Sequence, residues 1–374
     1  MDFSTTEEQE SIGNLARQIF EDSCGNEHLA ALERDESGDG IDHALWKSLA
    51  EAHLLGIALD EAHGGSDLGL SCLITLFEEA GRALAPVPLL STLIYAGLPI
   101  AQFGNQAQKE QWLPAIASGE AILTAGFEEI GSSEPREPRT KASAQGTAWI
   151  LDGEKACVPA AHVAQRILVA AATGPDHVGL FLVDPKAQGV EIETGLANNY
   201  ERQSHVRLSG VRVEAEDVLG DPTGGAEAIS WILDRAQVAL AAMQLGLCQA
   251  AIELTARYTA ERKQFGRAIG SFQAVTMRAA DAYVDLECMK STLWQAIWRL
   301  ETGLPATAQA AAAKWWACRG GGRIVHTTQH LHGGTGADID YPIHRYFLWA
   351  QQIRLTLGGS ADQLVKIGEQ FALA

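Results

Sequence analysis

Residues 261–274, ERKQFGRAIGSFQA, place basic side chains, a Phe-Gly pair, a Gly-Ser break and a Phe-Gln pair between two long helical patterns. Arg262 offers a planar, always-charged fork suited to phosphate. Gly266 and Gly270 let a backbone come close to a ligand or turn through positive φ. The chemistry this implies is anion binding at a helix end. The plainer reading is a solvated turn between helices, with Phe265 and Phe272 plugging the core. A second group is His326, His330 and His332, whose spacing invites a metal reading. No carboxylate-bearing zinc motif accompanies them, so core packing or cofactor contact is expected instead. The glycines that follow, in QHLHGGTG (329–336), read as a tight connection between helices. A dinucleotide fingerprint is the weaker option there, because no strand pattern precedes them.

The elements that must position these groups change period twice along the chain. Thr6 and Gln9 form a capping-box pair, and Ile12, Leu15, Ala16, Ile19 and Phe20 continue it as one apolar stripe. Further stripes run through Leu45, Leu49 and His53, and through Leu73, Leu76, Phe77 and Ala80. Asn105 can cap a helix that leads to Trp112 and Pro114, and the glycines of 59–70 mark a loop. From about residue 121, short runs rich in branched residues replace the stripes: 148–151, 167–171, 178–183, 190–192 and 206–213. Polar 131–140 between them reads as a mobile loop. After 220–225 the helical period returns through Leu233, Val238, Leu240, Met243, Leu247 and Ala250. It resumes at Val275, Ala279, Ala282 and Leu286, then in the alanine-rich 306–317. Helices, then strands, then helices is α+β with segregated parts: a helical domain at 1–120, a middle β-barrel or sandwich domain at 121–222 and a helical bundle at 223–374.

Composition narrows the function. With 374 residues, 47% apolar content and net charge −19, the chain suits a multi-domain globular protein and gives nucleic acid no basic surface. No membrane-length apolar run is expected, and the acidic start is unlike a secretory signal, so the expected location is cytoplasmic. The six cysteines, without C-x-x-C spacing, read as reduced and mostly buried. Trp294, Trp298, Trp315, Trp316, Phe347 and Trp349 crowd the last third, which suits subunit contacts as well as a core.

Arg-x-x-Phe-Gly-x-x-Ile-x-x-Phe-Gln at 262–273 resembles the acyl-CoA dehydrogenase family, and the resemblance spans nearly the whole chain. Phe3 to Gln9 looks like the family's opening, 62–67 like its Gly-Gly loop and 86–90 like its turn after the first helices. It implies a helical domain, a middle β-domain and a C-terminal four-helix bundle, and an enzyme that removes a Cα proton from an acyl-CoA while FAD takes hydride from Cβ. It carries Arg262, Gln264 and Phe265 onto a turn that meets the pyrophosphate of a neighbouring subunit's FAD, and Gln273 onto the adenosine half. Gly333 and Gly334 fall on a second loop at the same cofactor, with His330 where the family has Gln. Residues 153–165 resemble the strand that lines the flavin.

Two departures stand out. The family's Thr-Glu-Pro run that embraces the flavin ring reads GFEEIGSSEPREP at 126–138, leaving Gly131, Ser132 and Ser133 as donors. The positions of the family's base carry Gly358 in one branch and Ala236 in the other, and neither side chain accepts a proton. Asp234 lies two residues from Ala236 on a different helix face, and Asp340 follows the glycine loop in a position that is structural in the family. The resemblance therefore points to the diverged subunit of heterotetrameric steroid-degrading acyl-CoA dehydrogenases, in which an α2β2 partner supplies the base and most of the acyl-CoA site. Alternatives are a self-sufficient homotetramer that uses Asp234 or Asp340, and a non-catalytic scaffold that binds acyl-CoA or a partner.

Overall fold

A computed structural model of the protein describes residues 4–132 and 134–372; Phe3 and Ser133 lie outside the described residues. Helices α1 (Glu7–Ser23), α2 (Asn26–Arg34), α3 (His43–Glu51), α4 (Gly69–Ala83), α5 (Leu98–Phe103) and α6 (Gln106–Ala117) precede all the strands of the main sheet. Those strands are β1 (Leu123–Gly126), β2 (Lys141–Gln145), β3 (Ala148–Pro159), β4 (Arg166–Gly174), β5 (His177–Val183), β6 (Val190–Leu196), β7 (Arg202–Val213) and β8 (Val218–Leu219). Helix α7 (Gly225–Glu261) follows, then the two-residue strands β9 (Lys263–Gln264) and β10 (Arg267–Ala268). The chain ends in α8 (Gln273–Glu301), α9 (Thr307–Leu331), α10 (Ile343–Leu355) and α11 (Ser360–Ala372). Helices, a sheet and helices again is the α+β order expected, and it is the order the resemblance implies. The chain packs as two compact units that do not follow chain order: residues 31–69 with 86–236, and residues 1–30 with 70–85 and 237–374.

The unit of residues 31–69 and 86–236 is built on the sheet, ordered β6-β7-β3-β2-β4-β5-β8 with β1 parallel to β4. Strand β4 buries Ile167 to Ala171 without alternation, as a strand covered on both faces must. Strands β3, β5 and β7 add Leu151, Phe181, Val206 and Val211 to one apolar core, each worth about 1.5–3 kcal/mol of burial. Strand β6, on the edge, is mostly exposed. The β3–β7 register slips between Lys155 and Val158, where Cys157 sits at φ 51°. That bulge breaks the strict alternation, so Lys155 and Val158, three apart, are both buried. Asn105 caps α6 with Gln108 in a capping box, as its sequence signals. His53 does not extend the α3 stripe: the helix ends at Glu51 and His53 reverses the chain at φ 58°.

The other unit is a helical bundle with α1 and α4 packed against it. Thr6 and Gln9 cap α1 reciprocally. Helices α4 and α7 cross at Gly81 and Gly246, where a Cβ on either would strike the other helix's backbone, at Met243 and Glu78 respectively. Arg17 forks onto buried Glu79 at 2.6 and 2.9 Å. Helix α7 is long and apolar enough to cross a membrane by length and composition, which corrects the expectation that no such run exists. Its apolar window is 72% buried inside the protein, as befits a core helix. The cysteines are free, but only Cys72, Cys248 and Cys318 are buried, fewer than their type suggests. Helix α8 departs most from its sequence pattern. Ala282 and Leu286 are buried, whereas Ala279, Met277, Tyr283 and Val284 are exposed.

Candidate functional site

The turn around Arg262 is a two-residue hairpin. Helix α7 ends at Glu261, β9 and β10 pair Gln264 with Arg267, and Phe265 and Gly266 turn the chain at φ 55° and 78°. Successive positive φ values are the signature of a type I′ turn, which twists with its strands. Gly266 meets this need freely, whereas Phe265 occupies it at a cost. The Arg262 backbone is fixed at both ends, its N–H donating to Tyr258 O at 2.8 Å and its carbonyl accepting from Ile269 N at 2.9 Å. Its guanidinium is exposed, with no hydrogen-bond or ion-pair partner among the described residues. Gln264 is exposed, its side-chain amide donating to Lys263 O, and Gln273 opens α8. Phe265 does not plug the core: it is 92% exposed, with its ring 6.1 Å edge-on from Phe272.

The glycine loop lies at the far end of α9. Residues Gly333–Ala337 form a 3-10 turn, with Gly333 at φ 59° and open space where a Cβ on Gly333 or Gly334 would be. His330, on the last turn of α9, is exposed. Three rings tie this loop to the hairpin. His332 stacks on Tyr258 at 4.4 Å and lies 5.2 Å from Tyr341, while the Tyr258 hydroxyl is 3.3 Å from His332 O and 3.4 Å from Thr335 Oγ1. The sequence pattern offered His332 as a core or cofactor contact and gave no sign of Tyr258, because an aromatic in a helical stripe looks like any core residue.

These residues fit a dinucleotide's anionic end. Arg262 carries an exposed guanidinium in the hairpin that leads into a 29-residue helix with no side-chain cap, whose Gln273 and Ala274 N–H groups are free of intrahelical partners. The Gly333–Gly334 backbone can be approached without steric cost.

The candidate bases fare differently. Ala236 is wholly buried in α7. Asp234 is half-buried next to Arg235, whose guanidinium lies over the Trp231 ring and is pushed down to about 10 by burial, against the pull of Asp234. Gly358 sits at φ 93°, and its carbonyl accepts from Gln363 Nε2. Asp340 is exposed, with its backbone carbonyl accepting from Asn26 Nδ2 at 3.3 Å and its N–H donating to Asp338.

Within the sheet-bearing unit, the described residues of 127–140 form a connection between β1 and β2 that several hydrogen bonds tie down. Glu129 accepts from Lys155 Nζ at 2.5 Å, from the Thr140 hydroxyl at 2.7 Å and from the Arg139 and Thr140 amides. Burial pushes the Glu129 carboxyl up, but Lys155 and these donors outweigh it and hold the group below its usual range. The Arg139 side chain donates to Ile130 O and Gly131 O, and Arg136 forks onto Glu134. No sequence signal marked the Glu129–Lys155 pair, whose members lie 26 residues apart.

Comparison with known proteins gives two family models: acyl-CoA dehydrogenase, N-terminal domain, over residues 6–120, and acyl-CoA dehydrogenase, C-terminal domain, over 223–371. The acyl-CoA dehydrogenase FadE27 of Mycobacterium tuberculosis is 34% identical over 380 residues, covering 100% of this chain and 99% of its own. A solved structure of a variant of the Tcur3481-Tcur3483 steroid ACAD superposes with a TM-score of 0.92 at 45% identity, covering 98% of each chain. The ChsE4-ChsE5 complex from Mycobacterium tuberculosis superposes with a TM-score of 0.93 at 35% identity, covering 100% of both chains. Sequence and fold thus agree, and the chain belongs to the acyl-CoA dehydrogenase family.

Proposed function

We propose that this chain is the base-lacking subunit of a heteromeric, FAD-dependent acyl-CoA dehydrogenase that desaturates a bulky, steroid-derived acyl-CoA. A second acyl-CoA dehydrogenase subunit binds most of the substrate and supplies the base, in an α2β2 assembly. The observation that carries this reading is the pairing of two empty base positions with an open hairpin. Ala236 is buried and Gly358 bears no side chain, while Arg262 and Phe265 face outward with nothing among the described residues to engage them beyond the Phe272 ring edge. Abstraction of a Cα proton needs a carboxylate in a dry site. Asp340 is exposed and Asp234 lies on a different helix face from Ala236, so neither replaces the missing group. When bound, FAD supplies the hydride acceptor. This chain's part is to hold it: Arg262 sets a fixed charge against the pyrophosphate, the α8 N-terminus adds N–H donors, and Gly333 and Gly334 admit the cofactor to the backbone. Two relatives support the heteromeric reading by their names, one a steroid ACAD and the other a complex of two components. The bonding of Glu129, Glu134, Arg136 and Arg139 adds to it, since these side chains find partners within this chain.

The deciding measurement is the flavin-to-protein ratio, with mass by light scattering, for the chain alone and after co-expression with its partner dehydrogenase subunit. A colourless lone chain and a yellow complex with one FAD per two chains are expected. One FAD per chain and full turnover in a lone tetramer would sink the reading.

A further inference from the structure

The rings of Tyr258, His332 and Tyr341 stand at the root of both loops that the proposed function assigns to the flavin. Tyr258 O receives the Arg262 N–H at the start of the hairpin, and His332 immediately precedes Gly333. His332 is 2% exposed, whereas its neighbours His330, Gly333 and Gly334 are exposed. Its tautomer follows from its partners. Thr328 O, 2.8 Å from Nδ1, can only accept, so Nδ1 carries the proton and Nε2 accepts from the Tyr341 hydroxyl at 3.4 Å. A second proton on Nε2 finds an acceptor only if the Tyr341 O–H reverses to offer its oxygen, giving up the bond it donates. Burial favours the neutral ring and pushes its pKa below the ordinary 6.5, against the opposing pull of Thr328 O.

The charged groups around the cluster are Arg257 and Glu261 on α7, Asp338 and Asp340 in the connection before α10, and His330 on the ring's own helix. Among the described residues the ring's own hydrogen-bond partners are Thr328 O and the Tyr341 hydroxyl, and no carboxylate bonds it directly.

We propose that His332 is a positioning residue for the flavin: as a neutral imidazole it clasps the hairpin to the glycine turn, and protonation of Nε2 loosens both loops and releases the cofactor. This rests on the partner-shared flavin site proposed above. Because the folded state disfavours the charged ring, its contribution is complete above the ordinary value of 6.5 and is lost as pH falls below it.

The test follows free-flavin fluorescence from the co-expressed complex as it is acidified from about pH 8 to about pH 5, the window in which histidine titrates. Wild type is expected to shed FAD below about pH 6.5. His332→Phe keeps the ring stack and His332→Asn keeps a donor near Thr328 O, but neither titrates. In either variant the release midpoint should fall by about one pH unit or more, the range over which burial moves such groups. Equal midpoints in wild type and variants, or full retention by wild type at about pH 5, would overturn the proposal. Hydrogen exchange on the wild-type complex checks it without substitution: protection of 262–272 and 333–337 should drop together on acidification, and unchanged protection counts against it. A complex without FAD at about pH 8 defeats the shared-site reading itself, whereas a flavin-loaded but acid-indifferent complex defeats only the role of His332.

Discussion

The loops at 126–140 and 262–273 are both charged connections leaving regular elements, and they dispose of their charge in opposite ways. In the first, Glu129 is enclosed by Lys155, Thr140 and two amides, Arg139 donates to two carbonyls of its own loop, and Arg136 closes on Glu134. In the second, Arg262 and Gln273 face solvent, and Phe265 holds a positive φ to stand 92% exposed. One loop is finished within the chain. The other is shaped for something outside it. Under the proposed function, that contrast separates the part of the molecule that sustains its own fold from the part assigned to a shared cofactor.

The contrast breaks most sharply at Lys155. Removing one partner of a buried ion pair strands the other, so Lys155→Met should cost about 3–5 kcal/mol in urea unfolding of the chain. Adding Glu129→Gln should recover a large share, because the amide oxygen still accepts from Thr140 without a buried charge. A neutral Lys155→Met would mean the pair locks nothing. Arg262→Ala should behave in the reverse manner. Exposed and unpaired, the residue should leave stability within about 0.5 kcal/mol of wild type. Its loss should weaken FAD binding by the complex about 10- to 100-fold, the scale of one charge-assisted hydrogen bond. Titration of flavin fluorescence measures the second effect and urea unfolding the first. Loss of stability without loss of flavin would reverse the roles assigned to the two loops.

Much of the fold was legible because caps and periods are local. Thr6 with Gln9 forms the reciprocal cap its spacing implies, and Asn105 caps α6 as expected, with Gln108 completing a box the sequence reading did not name. What failed was non-local. His53 fits an apolar stripe by count, but the helix had already ended. Ala279 fits the α8 stripe yet is exposed, because apolar spacing marks a face without saying whether this chain covers it. The Glu129–Lys155 pair depends on a bulge at 155–158 that turns Lys155 inward, and no residue pattern announces it. At the site, Arg262 and the glycine turn were readable as a motif. Their coupling through Tyr258 and His332 was not, since it depends on where two helices end relative to each other.

The smallest effect gives the finest test, at Phe265. An aromatic side chain at φ 55° carries a backbone penalty that Asn, which tolerates the left-handed region best after Gly, largely avoids without glycine's entropy cost. The ring's contact within the chain is an edge-on approach to Phe272, on a side chain that is almost wholly exposed. Phe265→Asn should therefore stabilise the lone chain by roughly 0.5 kcal/mol in urea unfolding, backbone relief slightly exceeding the lost ring contact. The same substitution should lower flavin retention by the co-expressed complex about three- to tenfold, which corresponds to roughly 0.7–1.4 kcal/mol of lost binding. Opposite signs in the two measurements would identify Phe265 as a residue held against the chain's own preference for the sake of an external contact. Destabilisation of the lone chain by more than about 1 kcal/mol would instead return the ring to the core-plugging role its sequence suggests, and the distinction between a closed loop and an open one would lose its clearest example.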